Sequence, residues 1–181
     1  MVCLFLLAFV GASSAVAQAS APTEYQVKAA FLFHFGQFVD WPAQTFQDAG
    51  APLTYCMLGK DPFHGALEAS LNGKSIGPHP LRIRHLKQAQ ETAGCQVLFL
   101  GLEEKFIGET LERLQGLPVL TVGESPQFAQ QGGMIGFSLQ DNKVRFEINL
   151  GAAQQAGLKI SSRLLTLAKT VIVAPATPKG T

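Results

Sequence analysis

The chain has 181 residues, enough for one domain with a substantial hydrophobic core. Hydrophobic residues make up 47% and charged residues 15%, which excludes a disordered chain. A formal net charge of +1 gives no electrostatic reason to expect nucleic acid or an anionic membrane as partner.

Residues 1–19 read as a cleaved secretory signal. Val2 to Val10 is apolar but too short to anchor in a bilayer. Ala15-Val16-Ala17 and Ala17-Gln18-Ala19 both fit a small-residue cleavage site, although no Lys or Arg precedes Lys28. The alternative is a buried N-terminal helix. Thr23 then suits an N-cap, with Glu24 in the first turn. Val27, Ala30, Phe31, His34, Phe35 and Phe38 recur at helical spacing and predict one inward face. Phe33 and Val39 widen the apolar surface, and Pro42 stops the helix. We expect Phe31, Phe35, Phe38 and Trp41 to be core, the alternative being a ligand box or a partner face.

Pro52 to Gly59 reads as a strand, and Asp61-Pro62-Phe63 starts a helix reaching Leu71. Asn72-Gly73 marks a turn. Leu81, Ile83 and His85 alternate with Arg82 and Arg84 as a second strand. Cys95 to Leu100 is a continuous apolar strand of the kind found inside parallel sheets. In the helix Glu103 to Leu114, Phe106, Ile107, Thr110, Leu111 and Leu114 are predicted inward, and Glu104, Lys105, Glu109 and Arg113 outward. Pro118 to Val122 is another buried strand.

Met134 to Leu139 and Lys143 to Asn149 flank a polar turn at Gln140-Asp141-Asn142 and predict a β-hairpin. In its second strand Val144, Phe146 and Ile148 face one way, and Lys143, Arg145, Glu147 and Asn149 the other. Leu150 to Gly157 suits a short helix, and Ser161 or Ser162 caps another carrying Leu164, Leu165, Leu167 and Ala168. After Lys169 the composition turns to that of a frayed tail, and 174–181 is expected to be disordered. The sum is an α/β fold: one domain over 23–173, a sandwich with a mostly parallel sheet of about six strands, a C-terminal antiparallel hairpin and about five helices.

Catalytic machinery is not expected. His34, His64, His79 and His85 lack ligand spacing, so no metal site is predicted. The chain has no Gly-x-Ser-x-Gly elbow, and Gly132-Gly133 leads into a strand, not a phosphate-binding helix. No cofactor is implied. Cys56 and Cys95 remain after signal cleavage, and an even pair in an exported chain suggests a disulfide. Two unpaired buried thiols are the alternative. Arg145, Glu147 and Asn149, with Lys159 and Arg163, line a polar face that reads either as solvated surface or as a recognition surface.

The pattern GG-x-I-x-F from Gly132, then VRFEIN from Val144, then AA-x-x-AGL-x-ISS-x-LL-x-LA from Ala152 resembles the C-terminal part of the YfiR family. These are small periplasmic proteins, the best known of which represses a membrane-bound diguanylate cyclase. Tyr25-Gln26-Val27-Lys28-Ala29-Ala30-Phe31-Leu32-Phe33, with Phe35, Phe38 and Trp41-Pro42, is similar to the family's opening helix. Leu58-Gly59-Lys60-Asp61-Pro62-Phe63 and Pro118-Val119-Leu120-Thr121-Val122 also fit. The resemblance implies that Cys56 and Cys95 are bridged, since both match cysteines that the family pairs. A second cysteine pair that some relatives carry near the hairpin is absent, so redox behaviour dependent on it is not implied. It further implies a periplasmic, non-catalytic regulator that binds the periplasmic part of an inner-membrane diguanylate cyclase and lowers cyclic di-GMP and biofilm formation. An outer-membrane lipoprotein and a second copy of the chain are further expected partners. A periplasmic small-molecule sensor acting on another membrane signalling protein is the second hypothesis, and an enzyme the third.

Overall fold

The computed structural model of the protein describes residues 21–103 and 105–173. The expected signal at 1–19, the expected tail at 174–181 and the outward position of Glu104 lie outside the described residues. Helix α1 (Glu24–Gln37) begins with a reciprocal capping box: the Thr23 hydroxyl accepts from the Gln26 N–H, and the Gln26 side chain accepts from the Thr23 N–H. It ends ahead of Pro42 and gives way to β1 (Val39–Asp40). Strand β2 (Leu53–Leu58), α2 (Ala66–Leu71), β3 (Ser75–Ile76), β4 (His79–Leu86), β5 (Val97–Leu100), α3 (Ile107–Leu114) and β6 (Leu120–Gly123) follow. The hairpin β7 (Ile135–Gln140) and β8 (Lys143–Asn149) then leads to α4 (Leu150–Gln155), β9 (Lys159–Ile160), α5 (Ser162–Leu165) and β10 (Thr170–Ile172).

One eight-stranded sheet runs β10-β8-β7-β6-β5-β2-β4-β3. Its five inner strands β4, β2, β5, β6 and β7 are parallel, as the alternation of strands and helices through the middle of the chain predicts. β8 pairs antiparallel with β7, and β3 antiparallel with β4. β1 and β9 form a separate antiparallel ribbon. The fold class expected from the sequence is therefore found, with five α-helices among the described residues and a mostly parallel sheet in one domain. The strand count differs because β1, β3, β9 and β10 span only two or three residues, too few for an alternation to register. β10 also replaces expected fraying: Lys169 donates to the Phe146 carbonyl, and Thr170–Ile172 then pair in parallel with Glu147–Asn149.

Both sheet faces are covered. On the α1 face, Tyr55 and Met57 of β2, Val97 and Phe99 of β5, and Leu120 and Val122 of β6 join Leu32, Phe35, Leu67 and Leu71 in the larger core. On the α3 face, Cys56, Leu58, Leu98 and Leu100 meet Leu111, Leu114 and Phe128. Successive residues of one strand thus feed different cores, the consequence of the two-residue pleat.

The inward face of α1 departs from expectation. Its buried residues are Lys28, Ala29, Leu32, Phe35 and Gly36, whereas Ala30 and His34 are exposed and Phe31 and Phe38 half-buried. Apolar residues occur around most of the helix, so periodicity alone fixed the face poorly. Gly36 contributes by its lack of a side chain: a Cβ there would collide with the Tyr55 hydroxyl. Helix α3 is also shorter than predicted. It starts at Ile107, leaving Phe106 in the preceding turn and 60% exposed.

Candidate functional site

The hairpin is built by its turn. Gln140 pairs with Lys143, and Asp141 and Asn142 both take positive φ, 47° and 56°. Two consecutive left-handed residues make the two-residue hairpin turn whose twist matches the strands, and Asp and Asn tolerate that conformation best after glycine. The register sets Phe137 opposite Phe146 and Gly136 opposite Glu147. Phe146 and Ile148 enter the core beneath α1, with the Phe146 ring 5.1 Å from Phe35 and 5.3 Å from Phe31. Arg145 and Glu147 therefore point to the opposite face of the sheet. There Glu147 accepts a 2.8 Å hydrogen bond from the Gln130 amide, and Arg145 is exposed.

The five polar candidates do not form one patch. Lys159 lies on β9, paired in register with Asp40. Arg163 sits with its guanidinium 5.9 Å from the centre of the Phe38 ring, at the far end of α1. Arg145 and Glu147 thus belong to one face, and Lys159 and Arg163 to the other. Asn149 keeps the alternation, facing Ala129 next to the Gln130 that holds Glu147, but it is covered and not on an outer surface. Only 1% exposed, it caps α4 through its carbonyl, which accepts from Ala152 N at 2.9 Å, and donates to the Ala129 carbonyl at 2.8 Å. The strand ends there, and a side chain needed inside as a cap cannot serve an outer surface.

Of the aromatic candidates, Phe35 is fully buried and stacks on Phe137 at 5.6 Å. Phe31 packs at the same cluster but is half-buried, as are Phe38 and Trp41. Cys56 and Cys95 are joined in a disulfide. It ties β2 to the residue pair just ahead of β5 within the α3-face core.

The sequence reading missed a buried ionic cluster at the carboxyl ends of the parallel strands. Lys28, 3% exposed, is paired with Glu124 and lies 2.5 Å from Glu24, one helical turn away. Glu124 follows β6 directly and is itself buried. It accepts from the Tyr25 hydroxyl and from the Leu102 N–H, each at 3.2 Å. The Lys28 ammonium also sits 4.6 Å from the centre of the Tyr25 ring. Burial alone would lower the Lys28 pKa, but the hydrogen bonds and charges of Glu124 and Glu24 outweigh it and hold the ammonium above its ordinary value. Burial first, then the nearby Glu124 charge, raises the Tyr25 phenol. The cluster fastens α1 to the ends of β5 and β6. Two signals marked it in the sequence: a lysine inside an aromatic helix, and a carboxylate directly after a buried strand.

Beside these ends, a cavity of about 260 Å³ opens between the segment after β4 and α3. Leu58, Lys87, Gln88, Gln90, Phe106 and Glu109 are among its walls. β2 is flanked by β4 on one side and β5 on the other, so chain connections diverge there. Crevices of open α/β sheets lie at such points. No helix among the described residues is long and apolar enough to cross a membrane.

The profile of the YfiR/HmsC-like family matches residues 25–169. A solved conserved domain protein from Vibrio cholerae O1 biovar El Tor is similar to the fold, with a TM-score of 0.53 at 9% identity over 82% of this chain and 60% of that one. An ABC domain from Streptococcus pneumoniae, solved in complex with L-Trp, aligns at a TM-score of 0.49 and 12% identity over 66% of this chain and 55% of that one. The chain thus spans less than two thirds of either solved protein's length.

Proposed function

Because the chain belongs to the YfiR/HmsC-like family, we propose that it is an exported regulatory protein without catalysis of its own, acting in the periplasm on a membrane-bound diguanylate cyclase. It binds the periplasmic part of the cyclase and holds it in the less active of two states. Such binding lowers cyclic di-GMP only to the extent that the chain prefers that state. The observation that carries this reading is the family match over residues 25–169. The division of the polar candidates between two faces refines it. Arg163, beside the half-buried Phe38 ring, combines a cation with partly accessible aromatic surface and is the better-suited contact. Arg145 and Glu147 serve as the comparison. An outer-membrane lipoprotein that captures the chain, or pairing with a second copy, would modulate the same contact.

The test is genetic and physical. Deleting the gene should raise cellular cyclic di-GMP and biofilm formation. Arg163→Glu should do the same while the exported protein keeps its melting temperature, whereas Arg145→Glu should have the smaller effect. Unchanged cyclic di-GMP after deletion, with no membrane cyclase recovered by pull-down, would sink the repressor reading. The cavity beside β2 would then favour a small-molecule sensor acting on another membrane signalling protein.

A further inference from the structure

A second constellation sits at the same end of the sheet. Asp61 lies in the turn after β2, Glu68 on α2, and His85 one residue before the end of β4. Each offers one ligand atom, and the three atoms all lie within 4.8 Å of one another. His85 Nε2 and Glu68 Oε1 are 3.4 Å apart. Four donors placed tetrahedrally about 2.1 Å from a zinc ion are separated by about 3.4 Å, so this pair already has the spacing of two ligands on one metal.

Two further observations bear on the site. The other Glu68 oxygen, Oε2, is buried and has no hydrogen-bond partner among the described residues, although the rest of the side chain reaches solvent. A cation between the three side chains would give that oxygen a partner. Asp61 is held in place, since its Oδ1 accepts from the Phe63 N–H at 2.7 Å. His85 and Glu68 are half-exposed and can turn the remaining fraction of an ångström towards a shared ion.

From this geometry we propose that Asp61, Glu68 and His85 bind one divalent cation of the zinc class, with water completing the shell. The donor set decides the ion. One imidazole nitrogen with two carboxylate oxygens suits zinc and its first-row neighbours, whereas calcium and magnesium prefer oxygen alone. The bound ion ties the turn after β2 and α2 to the end of β4. Three separate elements supply the ligands, so no short spacing in the sequence reveals them.

Isothermal titration of tag-free, chelator-treated protein with zinc chloride tests this, paired with elemental analysis of the dialysed complex. The expected result is one zinc per chain, bound more tightly than calcium or magnesium. His85→Ala and Glu68→Gln should each weaken binding by at least the roughly 10- to 100-fold that loss of a supporting partner costs in metal sites. Neither should change the metal-free melting temperature much, because both side chains are half-exposed. His34→Ala, at an exposed position on α1, should leave binding intact. Stoichiometric zinc retained by both ligand variants would overturn the assignment, as would a preference for calcium or no uptake by the wild-type chain.

Discussion

The two faces of the sheet are held by different means. The α1 face carries the larger core, with Phe35, Phe63, Phe99, Phe137 and Phe146 beneath α1 and α2, and the buried ionic cluster at its edge. Among the described residues, the α3 face is covered by the eight-residue α3, the Phe128 turn and the segment around Ala89, and its core is smaller. It is also the face that contains the covalent link between Cys56 and Cys95. The contrast teaches that burial suffices where two helices pack side by side. Where one short helix covers the strands, a cross-link adds what area does not.

The sharpest way to break the α1 face is Phe35→Ala. Phe35 is fully buried and touches Phe31, Phe137 and Phe146, so truncation leaves a cavity ringed by stiff aromatics. The expected loss is about 3 to 5 kcal/mol in a urea titration. The half-buried Phe31 should lose less when changed to Ala, although spacing made the two equivalent. Equal losses would mean that the region collapses as one unit.

The corresponding break on the α3 face is Cys56→Ala with Cys95→Ala. The bond joins residues 39 apart in the sequence, and the chain-entropy estimate for such a loop is roughly 3 to 4 kcal/mol, with typical measured values of about 2 to 4. Reduction of the wild type should match the double variant. If reduction leaves the melting temperature unchanged, the α3 face does not depend on its cross-link, and the contrast between the faces fails.

These two regions were not equally legible in the sequence. The run from Pro52 to Gly59 announced a strand, the continuous run from Cys95 to Leu100 an inner parallel one, and the alternation in VRFEIN the hairpin, because each is a pattern a few residues long. The inward face of α1 was not legible, because a helix with apolar residues nearly all round has no single stripe. The alternation placed Asn149 on the correct face but did not show its burial, because the residue belongs to two elements at once, ending β8 and capping α4. Lys28 with Glu124, and the trio of Asp61, Glu68 and His85, lie beyond local pattern altogether. Their partners come from distant elements, and only the packing of those elements brings them together.

Alkaline pH sharpens the comparison with a smaller effect, specific to the α1 face. Lys28 and Tyr25 belong to the ionic cluster, and Tyr55 lies in the same core. All three have pKa values raised in the folded protein, Tyr55 by burial. A group whose folded pKa exceeds its unfolded one binds more protons when folded at high pH. Its contribution to stability is therefore complete below the unfolded value, about 10 for both residue types, and is lost as pH rises through the folded value. The slope for one such proton cannot exceed about 1.4 kcal/mol per pH unit, so near pH 10, where the three groups only begin to titrate, the effect stays below that of Phe35→Ala. Urea midpoints should be flat from pH 7 to about 9 and then fall progressively towards pH 11. Lys28→Met, which removes the ammonium and keeps much of the stem, should make that fall shallower even though it lowers stability at neutral pH by leaving Glu124 buried without its cation. The Cys56→Ala/Cys95→Ala variant should start lower but fall with the wild-type slope, because none of the three groups lies in its core. A steeper alkaline fall in the cysteine variant than in the wild type would show that the two faces share their titrating groups, and the separation drawn between them would not stand.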